Sequence, residues 1–395
     1  MHTTAHGTQA GTIYLDYAAT TPVDQGIAAQ LHQHTLSHFG NPSAAYTEGL
    51  GARRLLEDAR DRISAALGAD DPSARVLFTS GATEAMGLAI LGQATERPHH
   101  GVIDAGAHAC GLQAMARLRR LHRWRVDSAP LTPDGRVDPS RLSEHLDVHT
   151  RLVVLTLANN ETGAINDVAM LTTLIRAHSP RARVVVDATQ ALGRLPLRTT
   201  FEVADCVALS AHKAHGPKGV GLLWTRCALE PVFGGGGQEG GMRGGTPSAP
   251  LAWAMSTTLL HAIERQRTRP SEEALLITRL VDGLKAHVPE VVLEGPEAPH
   301  RLCNLALLHW PGLPGGPLLN AVHARGVSVS SGSACRTHHR TDFSHVLEAM
   351  GREAKAGAWL RVSLGRETTE ADIDACIVRI AEAGQSLAHL LEPTR

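Results

Sequence analysis

Residues 182–190 read ARVVVDATQ, and this stretch contains the pattern that decides the fold. Consecutive valines at 184–186 are typical of a strand buried on both faces of a parallel sheet, because a half-exposed strand would alternate apolar and polar residues. Asp187 follows the valines directly. An ionised carboxylate in that position is costly unless it meets a positive charge or several hydrogen-bond donors. The stretch therefore predicts a buried parallel strand that ends in a ligand-binding carboxylate.

Runs of the same kind recur between about residue 75 and residue 225. They alternate with stretches of helical patterning, such as 81–94 and 169–178. The runs are 75–80, 101–105, 124–128, 151–158, 182–188, 205–211 and 219–225. This alternation predicts an α/β fold whose large domain, residues 16–264, contains a seven-stranded, mainly parallel sheet.

The character of the sequence changes after about residue 265. The segments that follow are a predicted amphipathic helix at 271–288, a strand at 301–310, a Ser/Gly-rich stretch at 328–334, a strand at 360–365 and a helix at 369–391. Together with residues 1–15, they predict a smaller α+β domain formed by 1–15 and 265–395.

Polar clusters follow several of the predicted strands. The clusters are TSGATE (79–84), NNETG (159–163), DATQ (187–190) and SAHK (210–213). Ligands of an open parallel sheet bind beyond the carboxyl ends of its strands, so we expect these clusters to border one crevice. The small residues of TSGATE open a helix whose free N–H groups suit a phosphate, and Thr83, Ser210 and His212 add donors.

Lysine is rare in this chain, and one lysine lies in a polar cluster. Of 38 basic residues only four are lysines, namely Lys213, Lys218, Lys285 and Lys355. A lysine amine can lose its proton and form a covalent imine, whereas arginine stays protonated. A lysine, a buried aspartate and phosphate donors together fit pyridoxal phosphate (PLP). A nicotinamide or P-loop site is disfavoured, because residues 234–245 lack the strand–turn–helix GxGxxG context and no GxxxxGK[ST] occurs.

Composition argues against several classes of protein. The net charge is −1 and the pI is near 7.1, which gives no attraction to nucleic acid or to a membrane surface. No apolar run is long enough to span a membrane, and the first residues lack a secretory pattern. The six cysteines contain no CxxC pair or zinc spacing, so we predict reduced thiols, no metal site and a cytoplasmic protein.

Motifs along nearly the whole chain carry a family resemblance. In order, they are YLDYAATTP, FGNPSAA, TSGATE, ANNETG, VDATQALG, SAHKAHGPKG, GGGQEGGMRGGT, VSSGSAC, FSHVLEAMG and RVSLGR. With these motifs the chain resembles the PLP-dependent cysteine desulfurases, class V of the aminotransferase superfamily. It is most similar to the branch that places its reactive cysteine in a long SSGSAC loop.

The resemblance implies a PLP-dependent transferase of fold type I and a role for each matching residue. Lys213 would form the Schiff base with PLP, and His108 would stack on the ring and shuttle protons. Asp187 would pair with the pyridine nitrogen, and Arg361 with Asn160 would bind the substrate carboxylate. The remaining cofactor contacts would come from Ala82, Thr83, Asn160, Gln190, Ser210 and His212. Thr246 would reach the phosphate in the partner subunit, which implies a homodimer.

The resemblance also implies that Cys335 accepts the sulfur of the substrate. Cys335 would lie in a loop at about 328–340, attack the sulfur of L-cysteine, and pass the resulting persulfide to an acceptor protein while L-alanine is released. The other five cysteines are interpreted as small buried residues.

Other activities on the same scaffold stay open at this point. A selenocysteine lyase or a class V aminotransferase would use the same fold, and a non-catalytic protein could serve as a scaffold for sulfur relay. The destination of the sulfur is also open among iron–sulfur clusters, thiolated tRNA, DNA phosphorothioate and natural products. Several positions depart from the family pattern: Tyr46, Ala107, Gly240 and Gly244 stand where histidine, glutamate, arginine and serine are common, and Ala85, Met86 and Gly87 replace polar residues.

Overall fold

The computed structural model describes residues 11–68, 71–95, 97–331, 343–353 and 357–391. The strands are β1 Ile13–Tyr14, β2 Arg75–Thr79, β3 His100–Asp104, β4 Arg125–Ala129, β5 Thr150–Thr156, β6 Arg183–Asp187, β7 Cys206–Ser210, β8 Gly221–Thr225, β9 Val292–Glu294, β10 Leu305–Pro311, β11 Val327–Ser328 and β12 Gly357–Ser363.

Helices separate most of these strands along the chain. They are α1 Gln25–Ser37, α2 Thr47–Leu67, α3 Ala82–Leu91, α4 Ala109–His122, α5 Pro139–Glu144, α6 Val168–His178, α7 Arg198–Val203, α8 Ala249–Arg265, α9 Arg269–His287, α10 Gly315–Ala324, α11 His345–Ala349 and α12 Glu370–Leu391. None of the helices in the described ranges is long and apolar enough to cross a membrane.

The largest sheet has seven strands in the order β2-β8-β7-β6-β5-β3-β4. Strands β4, β3, β5, β6 and β7 are parallel to one another, while β8 runs antiparallel to both β7 and β2. Each of the seven predicted runs forms one of these strands, so the prediction of an α/β fold with a mainly parallel seven-stranded sheet is confirmed.

Burial on both faces explains why the sequences of the central strands are continuous apolar runs. Val184, Val185 and Val186 of β6 are all 0% exposed, with alternate side chains contributing to the apolar layers on the two faces of the sheet. Strand β6 lies between β5 and β7, so both of its edges are hydrogen-bonded as well. A polar side chain on this strand is tolerated at its end, where Asp187 lies.

A second apolar core surrounds the smaller sheets. Strands β12, β10 and β9 form an antiparallel sheet, and β1 pairs in parallel with β11. Helices α9, α10 and α12 pack around them. Ile13 and Leu15 belong to this core, so the beginning of the described chain packs with its last third. The predicted boundaries of the two domains stay a prediction.

Candidate active site

Four polar residues occupy the final positions of neighbouring strands at one edge of the sheet. Asp104 ends β3, Thr156 ends β5, Asp187 ends β6 and Ser210 ends β7. The carboxyl ends of parallel strands meet at the same edge, where a ligand can lie across them. A cavity of about 450 Å³ opens at this edge.

Most of the predicted site residues line this cavity. They are Ala82, Thr83, His108, Asn160, Asp187, Gln190, Ser210, His212, Lys213 and Arg361. The structure thus brings together side chains that are up to 279 positions apart in the sequence (Ala82 to Arg361). Folding of the α/β sheet therefore creates one site from motifs that are dispersed along the chain.

Hydrogen-bond donors collect at one end of the cavity. Helix α3 begins at Ala82, and Gly81 before it offers no side-chain cap for the first N–H groups. Ser210 is 1% exposed, and its Oγ has no hydrogen-bond partner among the described residues. A buried hydroxyl of this kind is costly without a partner. The free helix terminus and the hydroxyl fit a phosphate group, which accepts hydrogen bonds from both.

Lys213 lies in the short 3₁₀ turn Ala211–Lys213 that follows β7. Its Nζ donates hydrogen bonds to the carbonyl oxygens of Ala18 at 2.7 Å and Ala19 at 2.8 Å. These two residues also line the cavity. The amine is therefore held at the cavity wall by the segment that follows β1.

His212 is uncharged at neutral pH. Burial, together with the positive charges of Lys213 and Lys218, lowers the pKa of its imidazole from 6.5 to about 4. Its Nδ1 lies 3.1 Å from Thr20 Oγ1. A neutral imidazole can donate one hydrogen bond to a bound anion without adding a positive charge.

Asp187 and Gln190 form the floor of the cavity. Asp187 is 8% exposed, and its Oδ1 accepts a hydrogen bond from the backbone N–H of Thr189 at 3.0 Å. Gln190 donates from Nε2 to the carbonyl oxygen of Ala18 at 2.9 Å, which fixes the orientation of its amide. A buried carboxylate at the floor of a cavity suits a cationic ring nitrogen.

His108 caps helix α4 and contacts a cysteine. Its Nδ1 accepts a hydrogen bond from the backbone N–H of Cys110 at 3.2 Å, and the Sγ of Cys110 lies 3.1 Å away. Because Nδ1 acts as the acceptor of the cap, the neutral ring carries its hydrogen on Nε2. Both side chains line the cavity.

Arg361 provides a buried positive charge in the lining of the cavity. It lies on β12, is 2% exposed, and is paired through Nη2 with Asp16 Oδ1 at 2.7 Å. Its Nη1 donates to the carbonyl oxygen of Asn160 at 2.8 Å. A guanidinium has five N–H donors, so further donors are left for a carboxylate in the cavity.

Comparison with known proteins identifies the family of this chain. Residues 13–376 match the model of the class-V aminotransferase family. An IscS-like cysteine desulfurase of Mycobacterium tuberculosis is 36% identical over 397 residues, covering 92% of this chain and 94% of that protein. The chain belongs to the cysteine desulfurases of the class-V aminotransferase family. Enzymes of this family depend on PLP in general, and the predicted resemblance is confirmed.

Several solved structures share the fold of this chain. A NifS-like protein superposes with a TM-score of 0.86 at 30% identity, covering 95% of this chain and 100% of that chain. SspA in complex with cysteine superposes with a TM-score of 0.76 at 27% identity, covering 89% and 99% of the two chains. The prediction of a desulfurase-type fold is therefore confirmed.

One predicted site residue, Thr246, lies away from the cavity, and another lies outside the described residues. Thr246 is exposed on the segment before α8, so its predicted contact with a partner subunit stays a prediction. Cys335, with most of its predicted loop, lies outside the described residues.

The interpretation of the other cysteines needs a correction. Cys206 and Cys376 are buried, but Cys110, Cys227 and Cys303 are partly exposed. Cys110 is the most important exception, because it lines the active-site cavity beside His108. Cys110 lies in the first turn of α4, and this end of the helix faces the cavity.

Two of the departures from the family pattern have a backbone explanation. Gly240 has a φ of +66°, in the left-handed region that favours glycine over arginine. At Gly244, a Cβ atom would lie 2.5 Å from the carbonyl oxygen of Gly234, so a serine side chain has no room there. The glycine-rich segment thus folds tightly on itself. Its Arg243 forms an ion pair of 2.8 Å with Glu84 of α3, which holds the segment beside that helix.

Asp104, at the end of β3, is a buried carboxylate near the site that the sequence reasoning missed. It is 1% exposed, and its Oδ2 accepts a hydrogen bond from the backbone N–H of Thr156 at 2.6 Å. Burial, with a smaller contribution from the negative charge of Asp187, raises the pKa of Asp104 to about 7. The available signal was the same as for Asp187, namely a carboxylate at the end of an apolar strand.

Asp104 is expected to make the stability of the protein depend on pH. Its pKa is 3.8 when unfolded and about 7 when folded, so the unfolded chain releases this proton first as the pH rises. The contribution of Asp104 to stability is therefore present below about pH 4 and is lost as the pH rises to about 7. Asp104→Asn removes this titration and keeps an oxygen for the N–H of Thr156. We expect its unfolding midpoint to rise relative to that of the wild type between about pH 4 and pH 7. Thermal unfolding at several pH values measures this difference, and a constant difference would contradict the prediction.

Proposed function

We propose that this protein binds PLP and removes sulfur from L-cysteine, giving L-alanine and a persulfide on Cys335. The observation that supports it most strongly is the set of side chains around one cavity: Lys213, a buried carboxylate, the unpartnered hydroxyl of Ser210 and a buried arginine. Each corresponds to one chemical group of PLP or of an amino acid substrate.

The phosphate of PLP would be held by the start of α3 and by Ser210. The N–H groups at the helix terminus and the buried hydroxyl of Ser210 are placed to donate to an anion, and Thr83 and neutral His212 would add further donors. Asp187 would accept a hydrogen bond from the protonated ring nitrogen, with Asn160 and Gln190 near the ring oxygen. His108 would lie against the ring.

Ser210→Ala is expected to weaken retention of PLP. Removing a hydroxyl that donates to a charged phosphate oxygen raises the dissociation constant about 10-fold, as for other hydrogen bonds to charged groups. Equilibrium dialysis followed by the absorbance of the cofactor measures this change. The matched control is Ser64→Ala, because the hydroxyl of Ser64 bonds within α2 to the carbonyl oxygen of Arg60 on an exposed surface. Equal retention of PLP by both variants would contradict the prediction.

Lys213 would perform the first steps of the reaction with the bound cofactor. When bound, PLP withdraws electrons from the substrate, which permits loss of the Cα proton and weakens the Cβ–S bond. Lys213 would hold the cofactor covalently and, once displaced by the substrate amine, would accept the Cα proton at Nζ. To act as the base, this amine must be uncharged, a form that lysine can adopt and arginine cannot.

Arg361 and Cys335 would act at the two ends of the substrate. Arg361 would bind the carboxylate and thereby select an amino acid. The thiolate of Cys335 would attack the substrate sulfur, so that the Cβ–S bond breaks, a new S–S bond forms, and the carbon skeleton leaves as alanine after protonation. An acceptor protein would take the sulfur from the persulfide. Thr246 would reach the cofactor of a second copy in a homodimer.

The purified PLP-loaded protein tests this function directly. With L-cysteine and a reducing thiol, we expect equal amounts of alanine and sulfide, and a persulfide on Cys335 when the reductant is omitted. Transfer of the amino group to a keto acid without sulfide would indicate an aminotransferase instead. Faster turnover of selenocysteine, without dependence on Cys335, would indicate a selenocysteine lyase.

A further inference from the structure

Arg361 is held by acceptors on two other segments of the chain. Its Nη2 donates to Asp16 Oδ1 at 2.7 Å, and its Nη1 donates to the carbonyl oxygen of Asn160 at 2.8 Å. Its Nε is buried without a hydrogen-bond partner among the described residues. The guanidinium therefore has a defined orientation and still has donors for another group.

Asp16 is fixed from its other side by Ser330. The hydroxyl of Ser330 donates to Asp16 Oδ2 at 2.7 Å, so the two carboxylate oxygens contact different partners. Ser330 and Arg361 also exchange backbone hydrogen bonds of 3.2 and 2.7 Å. Asp16 is thus oriented by Arg361 on β12 and by Ser330, the residue that forms a β-bridge with Arg361.

The charge of Asp16 also matters, because Arg361 is 2% exposed. A buried cation without a counter-ion carries a large desolvation cost, and Asp16 compensates it. A side chain as long as arginine would otherwise lose conformational freedom on binding a substrate. Fixing the guanidinium in advance lowers that loss.

We propose that Asp16 is the positioning residue for the substrate carboxylate: by binding Nη2 of Arg361, it directs the remaining N–H donors of the guanidinium to the cavity. Ser330 supports this role by orienting the carboxylate of Asp16. The inference rests on the proposed function, in which Arg361 binds the carboxylate of an amino acid.

Binding of two amines to the PLP-loaded protein tests the role of Asp16. L-Alanine and ethylamine both carry an amine, but only alanine carries a carboxylate; the absorbance of the bound cofactor follows both titrations. We expect Asp16→Ala to raise the dissociation constant of L-alanine about 10-fold or more, as for the loss of a hydrogen bond to a charged group, with that of ethylamine within about 2-fold of wild type.

Milder variants keep the test valid if Asp16→Ala does not fold. Asp16→Asn retains an oxygen that can accept from Nη2, so its affinity for L-alanine should exceed that of Asp16→Ala. Ser330→Ala leaves Asp16 in place and should weaken L-alanine binding about 3-fold, without an effect on ethylamine. The matched control is Asp374→Asn, which changes an exposed aspartate paired with Arg279 on α9 and should bind both amines as the wild type does.

Two results would overturn the proposal. One is unchanged binding of L-alanine by Asp16→Ala and Ser330→Ala, and the other is an equal loss of affinity for L-alanine and ethylamine in these variants, which indicates a general structural defect. Failure of the proposed function is distinguishable from both, because the wild-type protein itself would then release no sulfide from cysteine.

Discussion

The Lys213→Ala protein is expected to lose release of alanine and sulfide from cysteine by a factor of about 10³ or more, within the range that a positioned acid–base group contributes. Lys213 Nζ lies at the cavity wall, held by the carbonyl oxygens of Ala18 and Ala19. No other described lysine except Lys218 lines the cavity, and Lys218 is exposed on the turn after it. Loss of the amine therefore removes both the covalent attachment of the cofactor and the base.

Two further variants separate the chemistry of the amine from its charge. Lys213→Arg retains a positive charge but cannot form an imine, so it should be as inactive as Lys213→Ala. Lys285→Ala changes an exposed lysine on α9 and should retain full activity. Alanine and sulfide are measured together, and the absorbance of the cofactor shows whether it is still bound covalently. Full sulfide release by Lys213→Ala would contradict the proposed function.

The Cys335→Ala protein is expected to form no persulfide and to release sulfide at less than about a hundredth of the wild-type rate, because the attacking thiolate is absent. Cysteine should still change the absorbance of the bound cofactor, since Lys213, Asp187 and Arg361 remain in place around the cavity. Binding and loss of the Cα proton would thus be separated from transfer of sulfur.

Cys110 provides the matched control, since it is a thiol in the cavity wall. Its Sγ lies 3.1 Å from His108 Nδ1, near the predicted position of the cofactor ring. Cys110→Ala should form the persulfide on Cys335 at the wild-type level. Mass spectrometry of the peptides after reaction with cysteine locates the added sulfur. A persulfide on Cys110 in the wild type, or its loss in Cys110→Ala with Cys335 intact, would contradict the assignment.

The strands and the helices of the sheet domain follow from local sequence patterns. The continuous apolar runs of the central strands form because their side chains are buried on both faces, as the valines before Asp187 show. Several boundaries were wrong: the strand predicted at 360–365 spans Gly357–Ser363, and the strand predicted at 301–310 begins only at Leu305. Residues before it are bonded elsewhere, since Leu302 donates its N–H to the carbonyl oxygen of Gly163. That contact depends on a distant loop and leaves no local pattern.

By itself, the sequence determined which residues lie at strand ends and which chemistry they can perform, because strand burial and the difference between lysine and arginine are properties of short segments. The tertiary structure decided which side chains meet. The reversed direction of β8, the buried pair of Asp104 and Asp187, and the presence of Cys110 in the cavity all depend on it. The contact of Asp16 with Arg361 also depends on the tertiary structure. These residues are 345 positions apart, and local sequence patterns cannot predict a hydrogen bond across that separation.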